Sequence, residues 1–199
     1  MLDAEVMMDN GYPQGPCSDT AQVDNALHLD GIHFKADRMY RHHVMRINYT
    51  TYDVRRAQDT INPKTDHCDV MLLSGQGPGS HTHQYIYARV LGIFHVNVIY
   101  AGPGMLDYKA HRMEFLWVRW FELVDNISVQ QSWANRRLDR LQFPPMSDDE
   151  AFGFIDPSHV LRACHAIPRF AIGLRHVDGR GISECAQNTK DWFQYYIAR

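Results

Sequence analysis

Three groups of residues in this chain have the chemistry to act on or hold another molecule. The first is His81-Thr82-His83. On a strand, residues two apart face the same side, so this pair could supply two nitrogen ligands to a metal. Joined to a tyrosine nucleophile, Tyr195 or Tyr196, it outlines a metal-dependent nuclease acting on single strands. The pair follows the Gly-rich run Ser74–Ser80, however, and no strand frames it, so a surface pair is the better account. His67-Cys68 and Cys164-His165 are adjacent residues, and adjacent side chains on a strand point apart. Cys17, Cys68, Cys164 and Cys185 show no Cys-x-x-Cys spacing. They read as reduced thiols of an intracellular protein, and a site drawing on His67, Cys68, Cys164 and Cys185 has no support from spacing. No catalytic set, metal set or cofactor is assigned. Gly-x-Ser-x-Gly is absent, and Pro103 denies Gly102-Pro103-Gly104 an N–H that a phosphate loop needs.

The second group is aromatic: Tyr85, Tyr87, Trp117 and Trp120. Rings arranged around an opening attract a cation such as a methylated lysine, at roughly 0.5–2 kcal/mol per contact. Alternating aromatics on a central strand more often fill a core. A cage requires at least two rings on one face around an open pocket. The third group is arginine: Arg55-Arg56, and Arg136-Arg137 with Arg140. Guanidinium groups pair bidentately with phosphate, so these are the candidate nucleic-acid contacts. Pairing with nearby acids, such as Asp53 with Arg56, competes with that role.

The elements that must position these groups are mostly strands. Val44 to Thr51 alternates with period two, and Cys68–Leu73 is a second short run. Asn62-Pro63-Lys64 marks a turn. Tyr85 to Tyr100 is β-forming throughout and far longer than the usual ~5–6 residues. Gly92 lies near its middle, where a bulge would let one long strand curve around a barrel. Arg112 to Phe121 puts Met113, Phe115, Trp117, Arg119 and Phe121 on one face. Glu114, Leu116, Val118 and Trp120 fall on the other, the pattern of a strand covered on both sides. These two long runs should form an antiparallel ribbon. Residues 122–150 read mostly as connection, with Asp148-Asp149-Glu150 a solvated loop. Phe152–Ile155 is a short strand, Asp156-Pro157-Ser158 a turn or cap, and Val160–Ile167 a further element stopped by Pro168. Trp192–Ile197 is a final strand or helix. The expectation is a mainly β, loop-heavy barrel with one or two short helices.

The 199 residues carry a formal charge of −3, from 20 Lys+Arg and 23 Asp+Glu. That near-balance conceals two unlike parts. Residues 1–37 hold seven acids and only Lys35 as a base, without sustained periodicity except a short helix suggested near Val23–Leu29. They read as an acidic, mostly disordered leader. Residues 38–199 carry a net +3 and read as a single β-rich domain. A +3 body is too weakly basic to put strong nucleic-acid affinity first. No apolar run approaches the ~20 residues of a membrane span.

Three blocks carry a resemblance. The first is Arg46-Ile47-Asn48-Tyr49-Thr50-Thr51-Tyr52-Asp53-Val54-Arg55-Arg56-Ala57-Gln58-Asp59. The second runs from Tyr87-Ala88-Arg89-Val90-Leu91-Gly92-Ile93-Phe94-His95 to Glu114–Phe121. The third is Ala151–Pro157 followed by Val160–Pro168. In this order they resemble the C-terminal region of long proteins encoded by fungal DNA transposons of the Plavaka and Kyakuja–Dileera–Zisupton type. Within them, Arg89-Val90, Ile93, Val118–Phe121 and Val160–Ile167 are similar to the barrel strands of a bromo-adjacent homology (BAH) domain. Glu122-Leu123-Val124 stands where such domains tend to have Arg-Pro. The resemblance implies a BAH-like or SH3-like barrel without a transposase core. It further implies a nuclear, non-enzymatic module that binds protein or histone-like peptides through residues 85–121. Metal-dependent cleavage and weak nucleic-acid binding are the alternatives.

Overall fold

The computed structural model describes residues 31–50, 56–75, 83–104, 107–124, 138–175 and 191–198. These form ten strands: β1 Ile32–His42, β2 Met45–Thr50, β3 Arg56–Ile61, β4 Asp69–Leu73, β5 Tyr85–Tyr100, β6 His111–Leu123, β7 Arg140–Gln142, β8 Phe152–Ile155, β9 Val160–Pro168 and β10 Tyr195–Ala198. The protein is mainly β with long loops, as its alternating sequence anticipates. Among the described residues the helical pieces in the loops are single 3-10 turns at Asp149–Ala151, Pro157–His159 and Phe170–Ile172. The second of these is capped by Asp156, whose carboxylate accepts from the Ser158 amide at 2.8 Å. No helix there is long and apolar enough to cross a membrane. β1 begins at Ile32, inside the span assigned to the acidic leader, while the Val23–Leu29 helix lies outside the described residues.

Six strands close on themselves. β5 pairs with β4, β4 with β9, β9 with β10, β10 with β7, β7 with β6, and β6 with β5, every pair antiparallel. Closure leaves these strands without a free edge, the main reason a small sheet curls into a barrel. Each strand sends alternate residues inward. Met71, Tyr87, Phe121, Leu141, Cys164, Ala166, Tyr195 and Ile197, with Phe143, make one buried cluster drawn from all six. The opposite alternation builds a second cluster on the outer wall from Val70, Leu72, Ala88, Val90, Leu116, Val118 and Val160.

The second cluster is covered by the β2–β3 hairpin through Ile61, Met45 and Ile47, and by Ile155 of β8. The hairpin is clamped to β9 by polar contacts. Asp59 accepts from the Ala163 amide at 3.0 Å, and Arg162 donates to the Tyr49 hydroxyl at 2.8 Å while lying over its ring.

β5 and β6 are longer than the barrel requires, and their outer halves project beyond it. There β5 pairs with β1, while β8 pairs with Leu116–Arg119 of β6, astride the boundary between the two halves. The change of role falls at Gly92: Val90 pairs with Val118 but Gly92 pairs with Trp117, so Leu91 is an inserted bulge residue. This is the bend expected at Gly92. A side chain there would overlap the Phe94 ring. Three strands exceed the sequence reading: β1 starts well before Tyr40, β3 was not seen, and β7 lies in the stretch 122–150 read mostly as connection.

Candidate functional site

The barrel interior contains charge. Arg89 donates to Asp69 at 2.7 Å, and Asp69 also accepts from the Ala166 amide at 3.1 Å. Burial disfavours the Arg89 cation, but Asp69 more than offsets this and raises its pKa. Arg119, wholly buried, donates to Asp191 at 2.9 Å. Here burial prevails over Asp191 and lowers the arginine pKa. The Phe143 ring is close to both guanidinium groups, its centroid 5.1 Å from that of Arg89 and 3.9 Å from that of Arg119. Both arginines are packed inside the barrel, and among the described residues Arg119 Nε and Nη2 and Asp191 Oδ1 find no hydrogen-bond partner.

The four candidate cage aromatics do not surround one opening. Tyr87 sits in the barrel interior, 1% exposed, and its hydroxyl donates to Asp139 at 2.9 Å. Tyr85 packs against the same interior cluster. Trp117 tilts against Phe152 at 6.1 Å between centroids. Trp120 packs on the outer cluster, across the barrel wall from Tyr87. The physical reason is the period of two: Tyr85, Tyr87 and Trp120 come from strands whose alternate residues serve opposite faces.

Trp120 nevertheless lines a cleft. The opening, about 470 Å³, is bounded by Trp120, Glu122, Pro144, Ser147, Asp148, Asp149 and Glu150. β6 supplies Trp120 and Glu122 at a spacing of two, so both project from one face. The turn before β8 supplies the other three acids, and it is held by the Asp148 amide donating to the Pro145 carbonyl at 3.0 Å. Gly153 of β8 is what admits the indole. A Cβ there would lie 2.6 Å from Trp120 Nε1. Four acidic residues thus line one opening together with a partly exposed indole. Glu122 and Asp148–Glu150 were not recognised in the sequence, where they fall in the stretch 122–150 read mostly as connection, the last three as a solvated loop. Nothing in the spacing shows that this loop, between two strands paired to β6, lies beside Trp120.

The remaining candidates are dispersed. Arg55, Arg136 and Arg137 lie outside the described residues. Arg56 opens β3, and Arg140 is a half-buried residue of β7 paired with Tyr196. His81 lies outside the described residues. His83 is 3.2 Å from Asp139, and its ring Nδ1 is 2.8 Å from the Tyr85 carbonyl. Tyr195 points into the barrel and Tyr196 lies near Arg169. Among the described residues no three His, Cys, Asp or Glu side chains gather as a metal site. Cys68 and Cys164 are buried, whereas Cys17 and Cys185 lie outside the described residues. Burial first, and then Asp69, pushes the Cys68 thiol up to about 12. Comparison with protein-family models, curated proteins and solved structures finds no significant match to this chain.

Proposed function

We propose that this protein is a non-enzymatic binding module that takes a cationic side chain of a protein or peptide into the Trp120 cleft. The observation that carries the reading is the juxtaposition of one indole with Glu122, Asp148, Asp149 and Glu150 around a single opening. A lysine or arginine side chain meets both requirements of such a cleft. Its charge is attracted by the carboxylates, and its head group interacts with the face of the indole at roughly 0.5–2 kcal/mol. Phosphate is repelled by the same four charges, which sets this cleft against a nucleic-acid contact. The resemblance to BAH-like modules of transposon-encoded proteins is consistent with a histone-like basic peptide and a nuclear setting. That resemblance rests on the sequence blocks alone.

Isothermal titration with a panel of lysine-rich peptides tests the proposal. A peptide carrying trimethyllysine is compared with one carrying its neutral tert-butyl isostere. Trp120→Ala, and separately Asp148→Asn with Asp149→Asn, should each weaken binding about tenfold or more, and the charged peptide should bind better than the isostere. Equal binding by wild type and both variants rules the reading out.

A further inference from the structure

Three arginines of this chain are seated alike, each against an aromatic ring and beside a carboxylate. Arg119 has its guanidinium carbon 3.9 Å from the Phe143 centroid and donates to Asp191 at 2.9 Å. Arg89 lies 5.1 Å from the same centroid and donates to Asp69 at 2.7 Å. Arg162 lies 4.0 Å from the Tyr49 centroid, with Asp59 3.4 Å from its Nε. The first two are inside the barrel and the third is at the surface, so the combination does not depend on depth. A flat cation covers the ring with its face while its in-plane N–H groups reach the acid. The Trp120 cleft brings together the same two ingredients, one indole and the acids Glu122, Asp148, Asp149 and Glu150. Among the described residues no lysine or arginine lines it.

On the reading that the cleft takes a cation, we infer that the side chain it selects is an arginine of a partner protein, with its guanidinium unmodified. The ring count argues against a trimethylated lysine. That group carries no N–H and gains its hold from several rings enclosing it, whereas among the described residues Trp120 is the single ring lining this opening. The indole is also fixed in place, because its Nε1 edge packs where Gly153 has no side chain. The shape of the head group argues for arginine over lysine. A guanidinium lies flat on one ring face and keeps its five N–H groups in the plane, directed outward, and four acidic residues line the same opening to receive them. An ammonium is a compact, strongly hydrated point charge that forms no bidentate pair with a carboxylate. The guanidinium is more weakly hydrated and gives up less on leaving water. Modification of the partner's arginine follows as a release signal. Methylation keeps the charge and blocks bidentate pairing, and conversion to citrulline removes the charge.

Nuclear magnetic resonance titration of the full chain, followed at the Trp120 indole N–H, provides the test. The probes are five otherwise uncharged peptides that differ at one residue: arginine, asymmetric dimethylarginine, citrulline, lysine and trimethyllysine. The arginine peptide should bind about fivefold or more tightly than the dimethylarginine, lysine and trimethyllysine peptides. The citrulline peptide should leave the signal unmoved. Asp148→Asn with Asp149→Asn changes two exposed side chains, so the fold should persist while arginine binding weakens about tenfold or more. Trp120→Leu, followed at the Asp149 and Glu150 amides, should bring the ratio of arginine to lysine affinity down to about one. Equal affinity for arginine and lysine, lost in the double variant, overturns the inference and leaves the cation-binding reading standing. Tighter binding of trimethyllysine than of arginine does the same. If none of the five peptides binds, or if binding is unchanged in both variants, the reading and the inference fall together.

Discussion

β5 and β6 run through two environments, and the contrast between their halves explains most of the molecule. In the barrel half, Tyr87 and Arg89 point into a closed interior while Ala88 and Val90 are sealed beneath the β2–β3 hairpin. In the projecting half, His95 and Glu114 face water, and the opposite side ends in bare phenylalanine and methionine. The alternation is the same in both. What differs is the number of layers, and the boundary is the Leu91–Gly92 bulge. Burial on both sides permits charge only when it is paired, as Arg89 is with Asp69. Burial on one side leaves exposed pairs such as Arg112 with Glu114, at 2.7 Å, exchanging freely with solvent.

The largest effect should come from breaking the pair inside the barrel. Asp69→Ala leaves Arg89 buried without its partner and removes the acceptor for the Ala166 amide, so it should cost about 3–5 kcal/mol in urea unfolding. Glu114→Ala, in the projecting half, should cost less than about 1 kcal/mol. Equal losses would mean that the barrel interior is wet and the contrast false. Next comes the boundary. Gly92→Ala forces Phe94 aside at the bulge and should destabilise by about 1–3 kcal/mol. Amide exchange should accelerate in β1 before β4, because β1 packs on the projecting half alone.

Two titrations give smaller effects and report the halves separately. The folded protein holds the Cys68 thiol neutral, with a pKa raised from 9.0 to about 12. Its contribution to stability is complete below the unfolded pKa and is lost as pH rises through the window between these values. Wild type should therefore lose about 1 kcal/mol more than Cys68→Ala between about pH 8 and about pH 10. In the projecting half the His42 and His95 ring nitrogens are 2.6 Å apart, with Tyr40 stacked on His95 at 4.7 Å. Partial burial, Arg112 and His42 lower the His95 pKa from 6.5, against an opposing pull from Glu114. Stability from this group is present above that value and declines as pH falls below it. Nuclear magnetic resonance should show the β1 amides weakening first on acidification, while β4 and β9 remain unchanged.

How far the sequence disclosed this arrangement depends on local signal strength. β5 and β8 match their anticipated spans residue for residue, because each is an apolar run with clear punctuation. β1 escaped because Lys35-Ala36-Asp37-Arg38 interrupts its period and histidines and arginines fill its polar face. β3, Arg-Ala-Gln-Asp-Thr-Ile, offers one large apolar residue, Ile61. β7 is three residues long and is a strand only because β6 and β10 flank it. Trp120 was visible as an aromatic on a strand. Its acidic neighbours were not, since they lie in the loop between β7 and β8, and only the pairing of both strands antiparallel to β6 lays that loop beside Trp120. The interior arginines follow the same rule: Arg119 shares a face with Phe121, but only barrel closure makes that face the inside.

Within β1, Phe34 pairs with Val98 and Met39 with Val96, so the intervening residues are thrown out of the ladder. Ala36 and Asp37 adopt φ of 58° and 51° to allow it. For an alanine this left-handed backbone is costly. The consequence concerns solubility. Among the described residues β1 has no neighbour on its outer side, and an unbroken row of unpaired amides and carbonyls would template the addition of further chains without limit. The extrusion cuts that row into two pieces whose directions no longer align. An incoming strand can satisfy one piece and then meets a protruding loop carrying Lys35, Asp37 and Arg38. Local backbone strain thus stops an open-ended polymer before it begins.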